Sequence, residues 1–232
     1  MFKLKIAKKK IIVALSKLRL HTVDSNSAAY FYQNEFKLAA KYFNSIMSEK
    51  TSTFTTRRNL HEFLINKVIN KDSSGLYLEF GVSKGATITM FAKAMPNITI
   101  HGFDAFRGLR DAWSKPNRSI GAMDLHGEIP IVPSNVALHI GWVEDTLPLF
   151  LQQHTGEIYF VHQDLDVYSP TKSSLKLLKD RFESGTMILF DDYHGFIGWE
   201  NHSHKAFNEV LNIEEFELLA FSFDGAALFR KI

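Results

Sequence analysis

The feature that most constrains the fold is an alternation, from Gly75 onward, of short apolar segments with segments of helical apolar spacing. Apolar runs of strand length are separated by stretches long enough for a crossover helix. Strands joined in this way form right-handed βαβ units and a mostly parallel sheet. The sequence therefore predicts an α/β protein with helices on both faces of a seven-stranded sheet. The predicted strands are 76–80, 98–103, 136–140, 158–162, 186–190, 216–221 and 226–229.

The segment before this alternation is helical by apolar spacing and basic at its start. The chain of 232 residues fits one α/β domain at 71–232, preceded by an N-terminal basic and helical extension at 1–70. Residues 1–20 hold seven basic residues and no acidic one, so the remainder is mildly acidic. An acidic body argues against nucleic-acid binding, whereas the basic segment fits a solvated arm or peripheral contact with anionic lipid or a partner. The helical extension also permits pairing between subunits in a homo-oligomer.

Cysteine and long apolar runs are both missing from the sequence. Without cysteine there is no disulfide framework and no thiolate chemistry. No apolar run approaches the roughly 20 residues that span a bilayer. The apolar stretch 11–15 is too short for a signal-peptide core. These features favour a cytoplasmic protein.

Two motifs at the ends of the first two predicted strands suit a nucleoside ligand. In residues 79–85 (EFGVSKG), Gly81 permits a tight turn and Gly85 a close approach of the next helix, where free backbone N–H groups suit an anion. The spacing differs from the dinucleotide motif G-x-G-x-x-G, and a plain strand-to-helix turn is the alternative. Asp104 follows about 20 residues later, where a carboxylate binds a ribose diol. A solvated loop aspartate is the other interpretation.

Acidic residues follow the fourth and fifth predicted strands. Asp164 comes after the fourth strand, and Asp191 and Asp192 come directly after the fifth. Carboxylates brought together at one sheet edge repel each other, and a hard cation with oxygen ligands removes that repulsion. The pattern predicts a Mg²⁺ site. The alternative is that Asp191 caps a helix, Asp192 is solvated and Asp164 pairs with a lysine.

One histidine stands close to these carboxylates. His162 and Asp164 are spaced like half of a two-histidine, one-carboxylate iron site. However, His162 precedes the strand end by one residue, a position that can face the opposite side of the sheet. An iron oxygenase of this type also normally requires a jelly roll rather than βα alternation. No histidine is therefore predicted as a metal ligand.

Five motifs in order give the sequence a family likeness. The stretch from Gly75 to the C-terminus resembles the macrocin O-methyltransferase (TylF-like) family of class I methyltransferases, which have a Rossmann-like fold and use S-adenosylmethionine (SAM). The motifs are 79–85 (EFGVSKG), 103–109 (FDAFRGL), 141–148 (GWVEDTLP), 164–168 (DLDVY) and 191–193 (DDY).

The resemblance implies roles for the site residues. The residues implied to surround the methionine part of SAM are Glu79, Gly81, Ser83 and Gly85. Asp104 would hold the ribose hydroxyls, and those implied to border the adenine are Phe106, Trp142 and Val143. The implied Mg²⁺ ligands are Asp164, Asp191 and Asp192.

The sequence departs from the family pattern near the expected base. Leu165 stands where the family often has glycine, and Val167 stands where some relatives have a lysine or histidine. Asp164 is the first candidate for the proton acceptor, with Asp166 and His194 as rivals. The identity of the base is therefore open.

The resemblance implies an O-methyltransferase that acts on a hydroxyl of a sugar or natural-product-like small molecule. The acidic cluster agrees with this, because a metal bound by carboxylates favours oxygen over nitrogen acceptors.

Two other classes of protein are alternatives to the methyltransferase. One is an NAD(P)-dependent reductase on a similar sheet, which the absence of G-x-G-x-x-G speaks against. The other is a non-catalytic module that docks to a membrane or partner through its basic N-terminus.

Overall fold

One sheet of eight strands runs through the part of the chain that this computed structural model describes, residues 26–70, 74–115 and 118–232. The strands are β1 (Ser52–Phe54), β2 (Leu76–Phe80), β3 (Ile100–Asp104), β4 (Val136–Ile140), β5 (Ile158–Gln163), β6 (Phe182–Phe190), β7 (Phe216–Ser222) and β8 (Ala227–Lys231). Their order in the sheet is β1-β7-β8-β6-β5-β2-β3-β4, and only β8 runs antiparallel to its neighbours. The helices are α1 (Asn26–Ile46), α2 (Arg57–Phe63), α3 (Ala86–Ala94), α4 (Val143–Gln153), α5 (Tyr168–Leu178) and α6 (Ser203–Val210), and Leu64–Val68 continues α2 as a π-helix.

The predicted Rossmann-like α/β class is confirmed, and the strand count rises from the predicted seven to eight. The additional strand, Ser52–Phe54, lies in a Ser- and Thr-rich stretch that reads as a loop. It has only three residues and pairs in parallel with β7 at the sheet edge, from Ser52 opposite Ala220 to Phe54 opposite Ser222. Three residues are too few to show the alternation that marks a strand in a sequence.

The strand Ser52–Phe54, which precedes position 70, is thus part of the sheet, and the division of the chain at that position stays a prediction. The basic segment 1–20, with its predicted membrane or partner contact, lies outside the described residues. Within the described ranges, no helix is both long and apolar enough to cross a membrane.

Each face of the sheet carries its own apolar layer. Alternate strand residues point to opposite faces, so Leu78 and Phe80 pack on one side, and Tyr77 packs on the other. The first layer includes residues of α1, α4, α5 and α6, and the second includes residues of α2 and α3. Position along a strand therefore decides which of the two layers a side chain enters.

Aromatic rings fill the first layer near β6 and β8. The ring of Phe207 on α6 stacks on Phe229 with centroids 4.8 Å apart, and it meets Phe190 edge-on at 5.5 Å. All three side chains are fully buried. Such pairs add to the free energy of area burial.

A long irregular connection joins β3 to β4, as the sequence predicts for 107–133. Its described residues include an isolated bridge between Arg107 and Asp124. The buried Trp113 ring meets Phe196 edge-on at 5.8 Å, which ties the connection to the segment after β6. The connection therefore packs against the sheet edge at which the parallel strands end.

Replacing Phe207 with alanine should lower the free energy of unfolding by about 3–5 kcal/mol, because it leaves a cavity between packed rings. Urea denaturation followed by circular dichroism would measure the change. Phe31→Ala is the matched control, since Phe31 is 57% exposed, and its cost should stay within about 0.5 kcal/mol. Equal losses in the two variants would contradict the packing account.

Candidate active site

A cavity of about 390 Å³ opens at the carboxyl ends of the parallel strands. This is the edge at which open α/β sheets bind ligands, and the volume lies in the range of small-molecule sites. The lining comes from the turns after β2 to β6, from the start of α2 and from the β3–β4 connection. Among the residues proposed from the sequence, those lining it are Gly81, Ser83, Asp104, Phe106, Trp142, Val143, Asp164, Asp166 and Asp192.

The turn after β2 requires glycine at position 81. Gly81 has φ of 87°, and an added Cβ would lie 2.0 Å from the carbonyl oxygen of Asp164. The Asp164 N–H donates to the Phe80 carbonyl at 2.8 Å, so the strand ends pass very close to each other. This contact brings the turn after β2 and the first acidic residue after β5 to one rim.

Asp104, the last residue of β3, organises the cavity wall. Its Oδ2 accepts the Ser83 N–H at 2.7 Å, and its Oδ1 accepts the Phe106 N–H at 2.7 Å. An ionised carboxylate has about four acceptor positions, so two remain for a ligand diol. Asp104 therefore fixes two turns and can still accept hydrogen bonds from the cavity.

Four non-glycine residues of the lining have left-handed backbone. The φ angles are 48° at Ser83, 52° at Phe106, 65° at Met123 and 63° at Asp166. Such conformations cost about 1–3 kcal/mol each, and they concentrate at ligand sites.

An indole ring forms part of the wall after β4. The Arg110 guanidinium lies 4.8 Å from the Trp142 ring centroid and pairs with Glu144 at 3.0 Å. Val143 beside it is buried and begins α4. The flat apolar surface next to Asp104 suits an aromatic base.

The carboxylates after β5 and β6 lie close together at the carboxyl edge of the sheet, and this group is called the acidic rim below. Asp164, Asp191 and Asp192 each place an oxygen within 4.8 Å of the others. Arg57 donates to Asp191 through Nη1 and to Asp192 through Nη2 at 3.1 Å, and Lys115 donates to Asp192 at 2.6 Å. Two cations thus neutralise part of the acidic cluster. The lysine pairs with Asp192, not with Asp164 as in the alternative drawn from the sequence.

The pKa values of these carboxyl groups diverge. Burial and crowding by Asp191 raise the pKa of Asp164 well above its usual value, and burial and Asp192 do the same to Asp166. Burial also acts to raise the pKa of Asp191, but the contacts with His162 and Arg57 outweigh it and lower that pKa. Carboxyl groups with a raised pKa thus lie beside one with a lowered pKa.

Four residues proposed from the sequence stand outside the cavity lining. The lining omits Glu79, Gly85, Asp191 and His194. Glu79 belongs to the buried β2 residues and faces His162 rather than the cavity. Gly85 begins α3 with φ of 78° and lies against Pro130 and Val132.

His194 is also directed away from the cavity. Its Nε2 lies 3.0 Å from the Ser222 carbonyl oxygen, and the ring packs edge-on against Phe43 at 4.6 Å. This placement suits a packing role and argues against His194 as the proton acceptor. Asp164 and Asp166 remain as candidates that line the cavity.

Arg57 and Lys115 are site residues that sequence reasoning missed. Arg57 begins α2 directly after Thr56, whose hydroxyl accepts the Asn59 N–H as the helix cap. The capping pattern predicts the helix start but does not reveal that the arginine reaches β6, 134 positions away. Lys115 lies in a connection without regular secondary structure, where periodicity gives no orientation.

The fold and the site together define a class of protein: a Rossmann-like α/β enzyme with a nucleoside-type cavity at the carboxyl edge of its sheet. A family model described as "Methyltransferase domain" matches residues 78–193, half of the chain. The chain therefore belongs to this methyltransferase family and is a SAM-dependent methyltransferase. The reductase alternative is not favoured.

Solved structures show the same fold at low sequence identity. The calicheamicin methyltransferase CalS11 is 21% identical with a TM-score of 0.59, covering 90% of this chain and 94% of that one. The O-methyltransferase NovP is 19% identical with a TM-score of 0.53, covering 75% and 79%. SAH-bound PaMTH1 of Podospora anserina is 16% identical with a TM-score of 0.50, covering 93% and 97%. No curated protein matched the sequence significantly.

Asp104→Asn should weaken SAM binding by roughly 10- to 150-fold, because charge-assisted hydrogen bonds contribute about 1.5–3 kcal/mol each. Isothermal titration calorimetry with SAM would measure the dissociation constant. Asp145→Asn is the matched control, since Asp145 is exposed and does not line the cavity. Unchanged affinity in the folded Asp104 variant would contradict the ribose assignment.

Proposed function

We propose that the protein transfers the methyl group of SAM to a hydroxyl of a sugar or natural-product-like acceptor, with Mg²⁺ at the rim carboxylates. The observation that carries the proposal is the meeting of three carboxylates beside the cavity that Asp104 organises. Two fold relatives agree with this proposal: CalS11 is a TDP-rhamnose 3'-O-methyltransferase, which fits a sugar acceptor, and NovP is an O-methyltransferase, which fits transfer to oxygen. The macrocin-type resemblance of the five motifs supports the same class.

The methyl donor has a natural place in the cavity. The turn at Gly81 and Ser83 borders the part of the cavity proposed for the methionine portion, and the free acceptor positions of Asp104 suit the ribose diol. Phe106, Trp142 and Val143 supply apolar surface for the adenine. The methyl group would then point toward the acidic rim.

The donor set of the rim fits a hard cation. Carboxylate oxygens are the ligands that Mg²⁺ prefers, and Asp164, Asp191 and Asp192 supply three within a suitable span. Bound there, Mg²⁺ would favour loss of the proton from a coordinated hydroxyl. Arg57 and Lys115 already neutralise two of these groups, so they compete with the ion for Asp191 and Asp192.

The chain's own residues supply orientation and a proton acceptor. The cavity walls hold the acceptor oxygen behind the methyl carbon, in line with the departing sulfur, and such alignment lowers the barrier by about 7–11 kcal/mol. Asp166 lines the cavity and is not one of the three proposed ligands, so its carboxylate is placed to accept a proton. Asp166 is thus the proposed base, and Asp164 is the proposed ligand.

Removal of divalent metal should lower turnover at least about 100-fold, because metal stabilisation of a forming alkoxide contributes several kcal/mol. The assay follows labelled methyl transfer to nucleotide sugars and glycolipids after EDTA treatment, and Mg²⁺ alone should restore activity. SAM affinity should change little. Full turnover in chelator would contradict the metal role.

Asp192→Asn should reproduce this loss and resist rescue by added Mg²⁺, because it removes a proposed ligand. Asp224→Asn is the matched control: Asp224 also binds Arg57, by accepting its backbone N–H at 2.7 Å, but lies outside the three-carboxylate cluster. Similar losses in both variants would assign the effect to Arg57 rather than to a metal.

Lys115→Gln should lower the Mg²⁺ concentration needed for half-maximal activity, since Lys115 Nζ occupies the Asp192 oxygen that the ion would use. Activity measured against Mg²⁺ concentration tests this directly. An unchanged or higher requirement would indicate that the lysine does not compete with the ion.

A further inference from the structure

A second group of possible metal ligands lies beneath the cavity, on the α2 and α3 face of the sheet. Glu79 of β2 and His162 of β5 are register partners, so their side chains project from the same face. His61 on α2 covers them, with its ring centroid 5.6 Å from that of His162. The exposed fractions are 4% for His61, 1% for Glu79 and 0% for His162.

Two histidine nitrogens converge on one carboxylate oxygen. Asp191 Oδ1 lies 3.6 Å from His61 Nε2 and 3.8 Å from His162 Nε2. These separations exceed hydrogen-bond distance, and neither Nε2 atom has a hydrogen-bond partner among the described residues. Ligands about 2.0–2.1 Å from a tetrahedral ion lie about 3.3 Å apart. The two oxygen–nitrogen separations exceed this spacing by about 0.3 and 0.5 Å, and the ligand atoms of the three residues all lie within 4.8 Å of one another.

The second nitrogen of His162 faces a carboxylate. His162 Nδ1 lies 3.2 Å from Glu79 Oε2, the arrangement in which metal-bound histidines are usually held. A hydrogen on Nδ1 leaves the Nε2 lone pair directed at Asp191, which is unfavourable unless a cation lies between.

We propose that His61, His162 and Asp191 bind a first-row divalent ion of the zinc type, with Glu79 orienting His162. Imidazole ligands suit such ions, whereas Mg²⁺ prefers oxygen. The full burial of the ligands indicates a structural ion. It would hold α2 and the residue after β6 together.

This site differs from the rim site and does not depend on the methyl-transfer proposal. Asp191 joins the two: its Oδ1 faces the histidines and its Oδ2 accepts from Arg57. The alternative to a metal ion between Asp191 and His162 is a proton on His162. Burial lowers the pKa of His162, but the contacts with Asp191 and Glu79 outweigh it and raise that pKa to about 10. Metal analysis distinguishes the two occupants.

The test measures metal bound by the full-length, tag-free protein. Samples purified without chelator, and apo-protein reloaded with Co²⁺, would be desalted and analysed by mass spectrometry and by visible absorption. We expect one tightly held ion per chain and a cobalt absorption of nitrogen- and oxygen-ligated type. Both should be lost in His61→Gln. Glu79→Gln should weaken metal binding by about 10- to 100-fold.

Two controls separate this site from others. His101→Gln should keep the ion, since His101 belongs to a different histidine group, with its Nδ1 3.2 Å from His139 Nε2. Asp192→Asn should keep it too, because Asp192 is not one of its ligands. Circular dichroism establishes that each variant is folded. Equal metal content in wild type and His61→Gln, or wild type that binds no Co²⁺, would overturn the proposal.

Discussion

The arrangement of the site depends on neutralising the carboxylates that follow β5 and β6. Two successive strand ends deliver Asp164, Asp166, Asp191 and Asp192 to one rim, and unpaired charge away from water is costly. Arg57 binds two of these groups from the start of α2. The sheet edge, the helix and the acidic rim are therefore tied together by a single guanidinium group.

Much of the fold follows from periodicity alone. The alternation of strands and helices after Gly75 predicts the parallel sheet and its carboxyl edge, and hence that Asp104 and the acidic residues after β5 and β6 lie at the same edge. The strand Ser52–Phe54 is not predicted from the sequence, because a segment of three residues is too short to show an alternating pattern. Its pairing depends on β7, which lies far along the chain.

The site was predicted better for residues that follow strands than for those outside them. Gly81, Ser83 and Asp104 line the cavity because a strand end fixes where the next residues lie. Glu79 does not, since it lies within β2 and its side chain faces His162 on the α2 and α3 side of the sheet. Arg57 and Lys115 could not be found in this way, because no local pattern encodes a contact across more than 70 positions.

The methyltransferase family match begins at residue 78, after the helix that carries Arg57. The segment outside the matched core thus supplies, through Arg57, part of the positive charge for carboxylates inside it. A chimera that exchanges this leading segment between relatives would therefore also exchange the arginine that neutralises the site carboxylates. Divergence of specificity in such enzymes can therefore begin in a region that sequence comparison of the core leaves out.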